Sequence, residues 1–363
     1  MTEANSKSPS GRATNLAGLH QLTQPLFSKE AAQQGMAVKL RETDVVVTPF
    51  GKSGTTWTQQ IVHTLRTRGD MDFDDISRVV PWIETSGVLG IDLDAEQRAN
   101  PRAFKSHLSA HKIPKGGRYI NVMRDPADVL VSMFKFQEGW FLEPGALSVD
   151  EFGQAWLNNS DGYFQHLLSW WARKDDADVL FLAYERMLKD APATIASIAE
   201  FIGVPLDDEL LEITLKHSSI EFMLDHKDRF DDLLMRRASE ELCGLPPGSD
   251  SAKVREGKSG SGHVLSAATL AVIDKCWNEH ITSALGFANY AAMLAALLFL
   301  VVASGIITLM FTSTLSEIRH TGDDVAIVQA LTLARGGAYT GGRVLGGKLR
   351  EELERLTIEN GNT

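Results

Sequence analysis

A loop between a strand-like segment and a helix-like segment constrains this chain most. The run Pro49–Trp57 reads PFGKSGTTW and follows the apolar, β-branched stretch Asp44–Thr48. Gly51 and Gly54 permit tight turns, so several backbone N–H groups can converge on one point. Lys52 adds a positive charge, and the helix that follows presents its positive dipole end. The pattern predicts a cradle for a phosphate or a sulfonated phosphate; the alternative is an ordinary Gly-Ser turn.

The same strand–loop–helix order recurs further along the chain. Tyr119–Met123 and Val179–Leu182 are short, apolar runs typical of buried parallel strands. Helical patterns cover Thr56–Arg68 and Ala127–Phe136, the second with Asp125 as its predicted N-cap. We therefore predict an α/β fold with a P-loop-like parallel sheet flanked by helices, and a ligand site at the carboxyl ends of the strands.

Charge and cysteine content exclude several classes of protein. The net charge of −11 argues against non-specific nucleic-acid binding, which depends on neutralising phosphates. The two cysteines, Cys243 and Cys276, give neither a disulfide framework nor a zinc site, and they fit a reducing compartment. His107 and His111 are four residues apart but lack a third ligand, so the sequence predicts no metal site.

The ends of the chain differ from its middle. Residues 1–18 have no secretory signal and are predicted to form a flexible tail, with the main domain at 19–290. Residues 291–312 are apolar over about the length that spans a bilayer, so they form a candidate transmembrane helix outside the main domain. The alternatives are a buried core helix and a misjoined reading frame. A polar tail follows at 313–363, and the main domain is expected on the cytoplasmic side, with 291–312 as a candidate membrane anchor.

The glycine loop resembles the Walker A loop of P-loop kinases only in part. That motif needs a glycine five positions before the Gly51-Lys52 pair, where Val46 stands. A second Gly-Lys-Ser at Gly257–Ser259 fails the same test at Ala252. A P-loop nucleotide kinase is therefore the less favoured alternative.

The loop and four further motifs resemble the cytosolic-type, bacterial-like sulfotransferases that use 3′-phosphoadenosine 5′-phosphosulfate (PAPS). The resemblance covers roughly residues 20–290. The motifs occur in the family's order: KSGTTW at Lys52–Trp57, FKSHL at Phe104–Leu108, YINVMRDPADVLVSMFKF at Tyr119–Phe136, LAYE at Leu182–Glu185, and REGKSG at Arg255–Gly260. The resemblance implies a PAPS-dependent sulfotransferase.

The resemblance also assigns the donor site residue by residue. Lys52 is expected to meet the charge that develops on the leaving phosphate, as a positioned cation does in phosphoryl transfer. Arg124 and Ser132 are expected at the 3′-phosphate, and Ser132 is also expected to restrain Lys52 until the acceptor binds. The remaining residues expected to bind the nucleotide are Ser53, Gly54, Thr55, Thr56, Trp57, Tyr184, Arg255, Glu256 and Gly257.

His107 is the expected general base, because imidazole titrates near neutral pH and an acceptor hydroxyl must lose its proton. Lys105 lies two residues earlier on the same face of an extended segment and is expected to steady the sulfuryl oxygens. The acceptor is expected to be a small alcohol, phenol or amine. Aromatic candidates for its pocket are Trp82, Phe136, Trp140 and Phe141, each of which is equally compatible with the core.

Three features leave alternatives open. Trp57 fits adenine stacking or the first turn of a core helix, and Arg124 fits a phosphate or an ion pair with Asp125 or Asp128. Ile220 stands where the family usually has a phenylalanine against the adenine, and Phe222 is the nearest possible substitute. A membrane-tethered protein that binds the nucleotide without catalysis is the third functional hypothesis.

Overall fold

The computed structural model covers the main domain and leaves the end of the chain undescribed. It describes residues 8, 10–159, 162–248, 250–251 and 253–297. Most of the predicted transmembrane segment 291–312 and all of the predicted tail 313–363 therefore lie outside the described residues.

The centre of the described fold is a four-stranded parallel sheet in the order β2-β1-β3-β4. In chain order the strands are Val45–Val47 (β1), Ala103–Lys105 (β2), Arg118–Met123 (β3) and Val179–Ala183 (β4). The predicted parallel α/β sheet is confirmed. The strand β2 was expected only as an extended segment, because three buried residues are too few to show a period.

Helices surround this sheet. In chain order they are Leu16–Thr23 (α1), Lys29–Met36 (α2), Thr55–Thr67 (α3), Ile76–Val79 (α4), Ser86–Leu89 (α5), Pro126–Trp140 (α6), Val149–Asn159 (α7), Gly162–Trp171 (α8), Tyr184–Lys189 (α9), Ala191–Ile202 (α10), Asp208–His217 (α11), Ile220–Asp225 (α12), Leu233–Cys243 (α13), Ala267–Trp277 (α14) and Ser283–Leu285 (α15). Short 3-10 turns lie at Gln24–Phe27, Ile83–Thr85, Lys227–Arg229 and Ser261–Val264, and a π turn lies at Asn278–Thr282. The predicted helices after β1 and β3 are thus present as α3 and α6, and Asp125 caps α6 as expected.

Both faces of the sheet are buried, which explains why β1 is valine throughout. Alternate residues of a strand point to opposite faces. Val46 packs in one cluster with Phe104 and Trp170, whereas Val45 and Val47 pack in another against α3 and α10. A strand covered on both faces requires an unbroken apolar run rather than an alternating one.

The N-terminal segment is more firmly packed than the predicted tail 1–18. Ala13 forms a bridge with Leu142 and is fully buried, and α1 begins at Leu16 with Asn15 as its cap. Leu19 and Leu22 then pack in a third apolar cluster with the end of α6. The boundary at residue 18 therefore does not match the ordered structure, because leucines at helical spacing bury this segment against the domain.

The start of the apolar C-terminal stretch packs on the domain. Residues 290–297 are helical, and Tyr290, Met293 and Leu297 are buried in the same cluster as Trp277. Up to residue 297, no helix in the described part of the chain combines the length and the apolar character needed to cross a bilayer.

Candidate functional site

The carboxyl ends of all four strands open onto one cavity of about 1000 Å³. The glycine loop follows β1, His107 follows β2, Arg124 follows β3 and Tyr184 follows β4. Every predicted site residue except Ser53 lines this cavity: Lys52, Gly54, Thr55, Thr56, Trp57, Lys105, His107, Arg124, Ser132, Tyr184, Arg255, Glu256 and Gly257. Ser53 is fully buried within the loop.

The glycine loop adopts a conformation that leaves donors without partners. Lys52 and Gly54 have positive φ angles of 70° and 89°, and a Cβ on Gly54 would come 2.9 Å from the ring of Tyr184. Gly54 is also the N-cap of α3, so this helix has no side-chain cap. The hydroxyls of Ser53 and Thr55 are buried without a hydrogen-bond partner in the described residues. Free donors at a helix N-terminus form a site for an anionic phosphate or sulfate group.

Two lysines face the cavity in an environment that disfavours their charge. The Lys52 ammonium lies 4.5 Å from the Phe136 ring centroid, and the Lys105 ammonium lies 4.0 Å from that of Trp82. Burial, with repulsion from neighbouring cations, holds the pKa of Lys52 well below its usual range. Burial and the nearby Lys253 lower the pKa of Lys105 to about 7. Cations crowded in this way are stabilised when an anion enters the cavity.

His107 has a defined tautomer. Its Nδ1 lies 2.7 Å from the carbonyl oxygen of Pro49. Because a carbonyl can only accept, Nδ1 carries the proton and Nε2 keeps its lone pair. Burial, followed by the charge of Lys105, holds the pKa of His107 well below its ordinary value, so the ring is neutral near pH 7. The arrangement provides a neutral imidazole able to accept a proton.

Sequence reasoning missed a buried carboxylate beneath this histidine. Glu84 accepts a hydrogen bond of 2.7 Å from the backbone N–H of His107. Burial raises the pKa of Glu84, while the hydrogen bond from the His107 backbone opposes that rise. No local motif marks Glu84. It lies in the turn Ile83–Thr85, and only the tertiary fold brings this turn to His107.

Arg124 connects the two loops of the site. Its guanidinium donates to the carbonyl of Lys52 and to that of Lys258, each at 2.9 Å, and lies 4.2 Å from the Tyr184 ring centroid. The alternative ion pair is present only as a long contact of 3.8 Å with Asp128. Nε of Arg124 is buried without a partner among the described residues, so the guanidinium retains a donor for a ligand.

Asp128 anchors the loop that carries the late Arg-Glu-Gly motif. Its carboxylate accepts from the backbone N–H of Gly260 at 2.7 Å and of Gly262 at 2.9 Å. A side chain on Gly262 would meet Ala127, and one on Gly257 would meet Ile220. These close approaches hold the loop between the start of α6 and the start of α12, with Arg255, Glu256 and Gly257 at the cavity.

The predicted aromatic residues divide between cavity and core. Trp82 and Phe136 line the cavity, whereas Trp140 and Phe141 are buried and stacked on each other at 4.4 Å. Trp140 also donates to the Ser239 hydroxyl at 2.9 Å. Trp140 and Phe141 therefore follow the core alternative and not the pocket alternative, because the last turn of α6 faces the N-terminal helices.

The three residues expected near the adenine differ in whether they line the cavity. Trp57 lines the cavity edge-on to Tyr184, and its indole nitrogen has no hydrogen-bond partner within the described residues. Phe222 is stacked between His217 and His226 instead of lining the cavity. Ile220 itself lines the cavity, so the position that lacks an aromatic ring is not filled by Phe222.

Comparison with known proteins gives a family match over the part of the chain that carries the cavity. The model of the sulfotransferase domain family matches residues 42–261. The chain belongs to the sulfotransferase family. The match spans the sheet and every predicted site residue from the glycine loop to the late Arg-Glu-Gly loop.

Characterised members of the sulfotransferase family align with much of the chain. Sulfotransferase 1B1 of the dog, Canis lupus familiaris, is 31% identical over 51% of this chain and 68% of its own length. Sulfotransferase 2A1 of Macaca fascicularis is 28% identical over 67% of this chain and 86% of its own length. The similarity thus extends over most of each relative.

Solved sulfotransferase-like structures share the fold. A retinol dehydratase in complex with retinol and PAP aligns with a TM-score of 0.55 at 23% identity, covering 70% of this chain and 86% of that chain. A mouse sulfotransferase, SULT7A1, complexed with PAP aligns with a TM-score of 0.54 at 22% identity, covering 71% and 91%. The parallel sheet flanked by helices is therefore the architecture of this family.

Proposed function

We propose that this sulfotransferase moves a sulfuryl group from PAPS to a hydroxyl or amine of a small acceptor, with His107 as general base. The observation that carries the proposal is the shared cavity. It joins a helix N-terminus with unpartnered donors, the Lys52 ammonium and a neutral His107. An anion-binding loop beside a proton acceptor is the combination that group transfer to an alcohol needs.

The two ends of the donor nucleotide have distinct candidate sites. The loop 53–56 and Lys52 offer donors to the 5′-phosphosulfate. Arg124, Ser132 and the loop carrying Arg255 and Gly257 lie on the same cavity and offer a forked guanidinium and a second set of N–H groups to the 3′-phosphate. Trp57, Tyr184 and Glu256 complete the proposed nucleotide site, with the indole and phenol rings beside the base.

The proposed reaction balances without a metal. The bond between sulfur and the phosphate oxygen of PAPS breaks, and a bond between sulfur and the acceptor oxygen or nitrogen forms. The acceptor proton goes to Nε2 of His107, and the phosphate leaves with the bonding electron pair. Lys52 stabilises the charge on the leaving oxygen, and Lys105 contacts the oxygens of the transferred group.

The acceptor side of the cavity is apolar. Phe27, Trp82, Met133 and Phe136 line it next to His107. Such a wall favours an alcohol, phenol or amine carried on an apolar body. Among its relatives are an amine sulfotransferase of the rabbit and a 3-alpha-hydroxysteroid sulfotransferase of the guinea pig, whose names cover two of these acceptor classes.

Transfer from labelled PAPS to a panel of alcohols, phenols and amines tests this function. We expect calorimetry to show that the purified protein binds PAP, the nucleotide that remains when PAPS has lost its sulfuryl group. We also expect a mass-shifted product with at least one acceptor class. Binding of PAP with no product from any acceptor would instead support a nucleotide-binding protein without catalysis. Consumption of ATP without affinity for PAP would support the kinase alternative, against which the burial of Val46 inside β1 already argues.

We also propose the C-terminal limits that the sequence predicts: a sulfotransferase domain that ends at 290, a membrane anchor at 291–312 and a polar tail at 313–363. Because Met293 and Leu297 pack on the domain, the anchor is tested by removing only the residues after 297. We expect the full chain to sediment with membranes and the shortened chain to stay in the cytoplasmic supernatant. Recovery of both in the supernatant would contradict the anchor.

A further inference from the structure

A buried ion pair that the sequence did not point to lies in the wall of the same cavity. Asp232 and Lys253 both line the cavity, and their side chains are 2% and 9% exposed and form an ion pair. Burial raises the pKa of Asp232, but Lys253 and Lys105 outweigh it and lower that pKa to about 2. The carboxylate is therefore charged at every working pH.

The backbone of Asp232 is unusual for a residue with a side chain. Its φ and ψ angles of 49° and 47° lie in the left-handed region, which asparagine and aspartate tolerate best among non-glycine residues. Asp232 is also the N-cap of α13, where an aspartate normally accepts from the first turn of its helix. Its side chain makes no such bond.

Another carboxylate takes over that capping role. Asp75 accepts from the backbone N–H of Leu234 in the first turn of α13 at 2.8 Å. The other oxygen of Asp75 accepts from Ser77 at 2.8 Å, so one side chain caps both α4 and α13. Because Asp75 caps α13 in place of Asp232, the Asp232 carboxylate is available to the lysines of the cavity.

We propose that Asp232 is a positioning residue: its carboxylate, released from helix capping by Asp75, holds the ammonium groups of Lys253 and Lys105 on the anion-binding wall of the cavity. The inference rests on the proposed function, because it concerns the same donor site. Without Asp232, three lysines would face one another in a buried space, and Lys253 would lose its ion-pair partner. With it, the wall keeps its cations in place before the donor arrives, which is electrostatic preorganisation.

The titration of Lys105 reports on this arrangement. The charged and titratable groups that act on Lys105 come from several segments of the fold. They are Lys253, Asp232, Glu84, Lys52 and His107. Of these, Lys253 lowers the pKa of Lys105 by repulsion, and Asp232 raises it by attraction. Removing one partner should therefore move the titration in the opposite direction from removing the other.

Asp232→Asn and Lys253→Gln make the test. Asparagine suits the left-handed backbone, so the fold should persist. We expect Asp232→Asn to move the alkaline limb of kcat/KM for PAPS to lower pH, with a loss of about ten-fold or more at pH 7.5 that recovers on acidification. We expect Lys253→Gln to move that limb to higher pH. The side-chain carbon signals of labelled lysine, with Lys105 assigned by Lys105→Arg, should follow the same two directions in the protein without nucleotide.

Asp207→Asn is the matched control. It makes the same charge change at a helix N-cap, where Asp207 pairs with Arg68 on the surface. It should leave the Lys105 titration and the rate profile unchanged. Shifts in the same direction, or no shift, in Asp232→Asn and Lys253→Gln would overturn the proposal, and Lys253→Gln alone decides if Asp232→Asn does not fold. Because the lysine titration needs no donor, a failure of the proposed function shows separately as absent PAP binding and absent transfer by the unchanged protein.

Discussion

Replacing Lys52 by methionine is expected to lower turnover with PAPS by about 100- to 1000-fold, the usual effect of removing one group that stabilises a developing oxyanion. Methionine keeps the length and apolar stem of the side chain but removes its charge. In the empty cavity the ammonium rests over Phe136 and burial lowers its pKa, so its charge is costly until an anion is present. The interaction should therefore be strongest when the leaving phosphate gains charge.

The loss should fall on turnover more than on binding. An interaction that strengthens in the transition state lowers kcat when it is removed, whereas uniform binding changes only KM. Affinity for PAP by calorimetry should therefore fall by much less than kcat in Lys52→Met. Lys112→Met, at an exposed lysine, is the control and should retain both values. A kcat within a few-fold of the original in Lys52→Met would rule out the assigned role.

The sheet and the loops around it could be predicted because their signals are local. The three valines of Val45–Val47 predict a strand that is covered on both faces, and the glycines at 51 and 54 predict the turn before α3. Parallel strands bring their carboxyl ends to one edge, so residues that follow different strands meet there. This rule places Lys52 and Arg124 at one cavity, although they lie far apart in the sequence. His107 follows β2, which was not predicted as a strand, so its place at the cavity was expected only from the family resemblance.

The remaining site residues have no such signal. Glu84 and Asp232 belong to no recognisable sequence motif, and only the tertiary fold brings them to His107 and Lys105. The sequence does not distinguish Asp232 from Asp231, although only Asp232 of the two lines the cavity. For the aromatic candidates, residue type alone does not separate a pocket residue from a core residue. Trp140 is of a type that suits a pocket, but the face of α6 that carries it is covered by the N-terminal helices.

Replacing His107 by alanine is the second large expected effect, a loss of about 100- to 10,000-fold in turnover, as for other general bases. The geometry gives the reason: Pro49 fixes the proton on Nδ1, so Nε2 accepts the acceptor proton without a change of tautomer. His111→Ala, at an exposed histidine four residues on, should retain full turnover. Near-original turnover in His107→Ala, with affinity for PAP intact, would rule out His107 as the base.

The pH dependence gives an independent test of the same base. A base must be neutral to act, and burial holds the pKa of His107 well below the ordinary value of histidine. The acid limb of kcat/KM should therefore lie below the usual range of histidine, and it should disappear in His107→Ala. Lys105, with its pKa lowered to about 7, and Lys52, whose pKa burial also lowers, must keep their protons to act, so their loss of charge sets the alkaline limb. Neutral His107 and charged Lys105 coexist only between these limbs, so kcat/KM should be highest on the acid side of neutrality; a maximum well above pH 8 would contradict this pairing of roles.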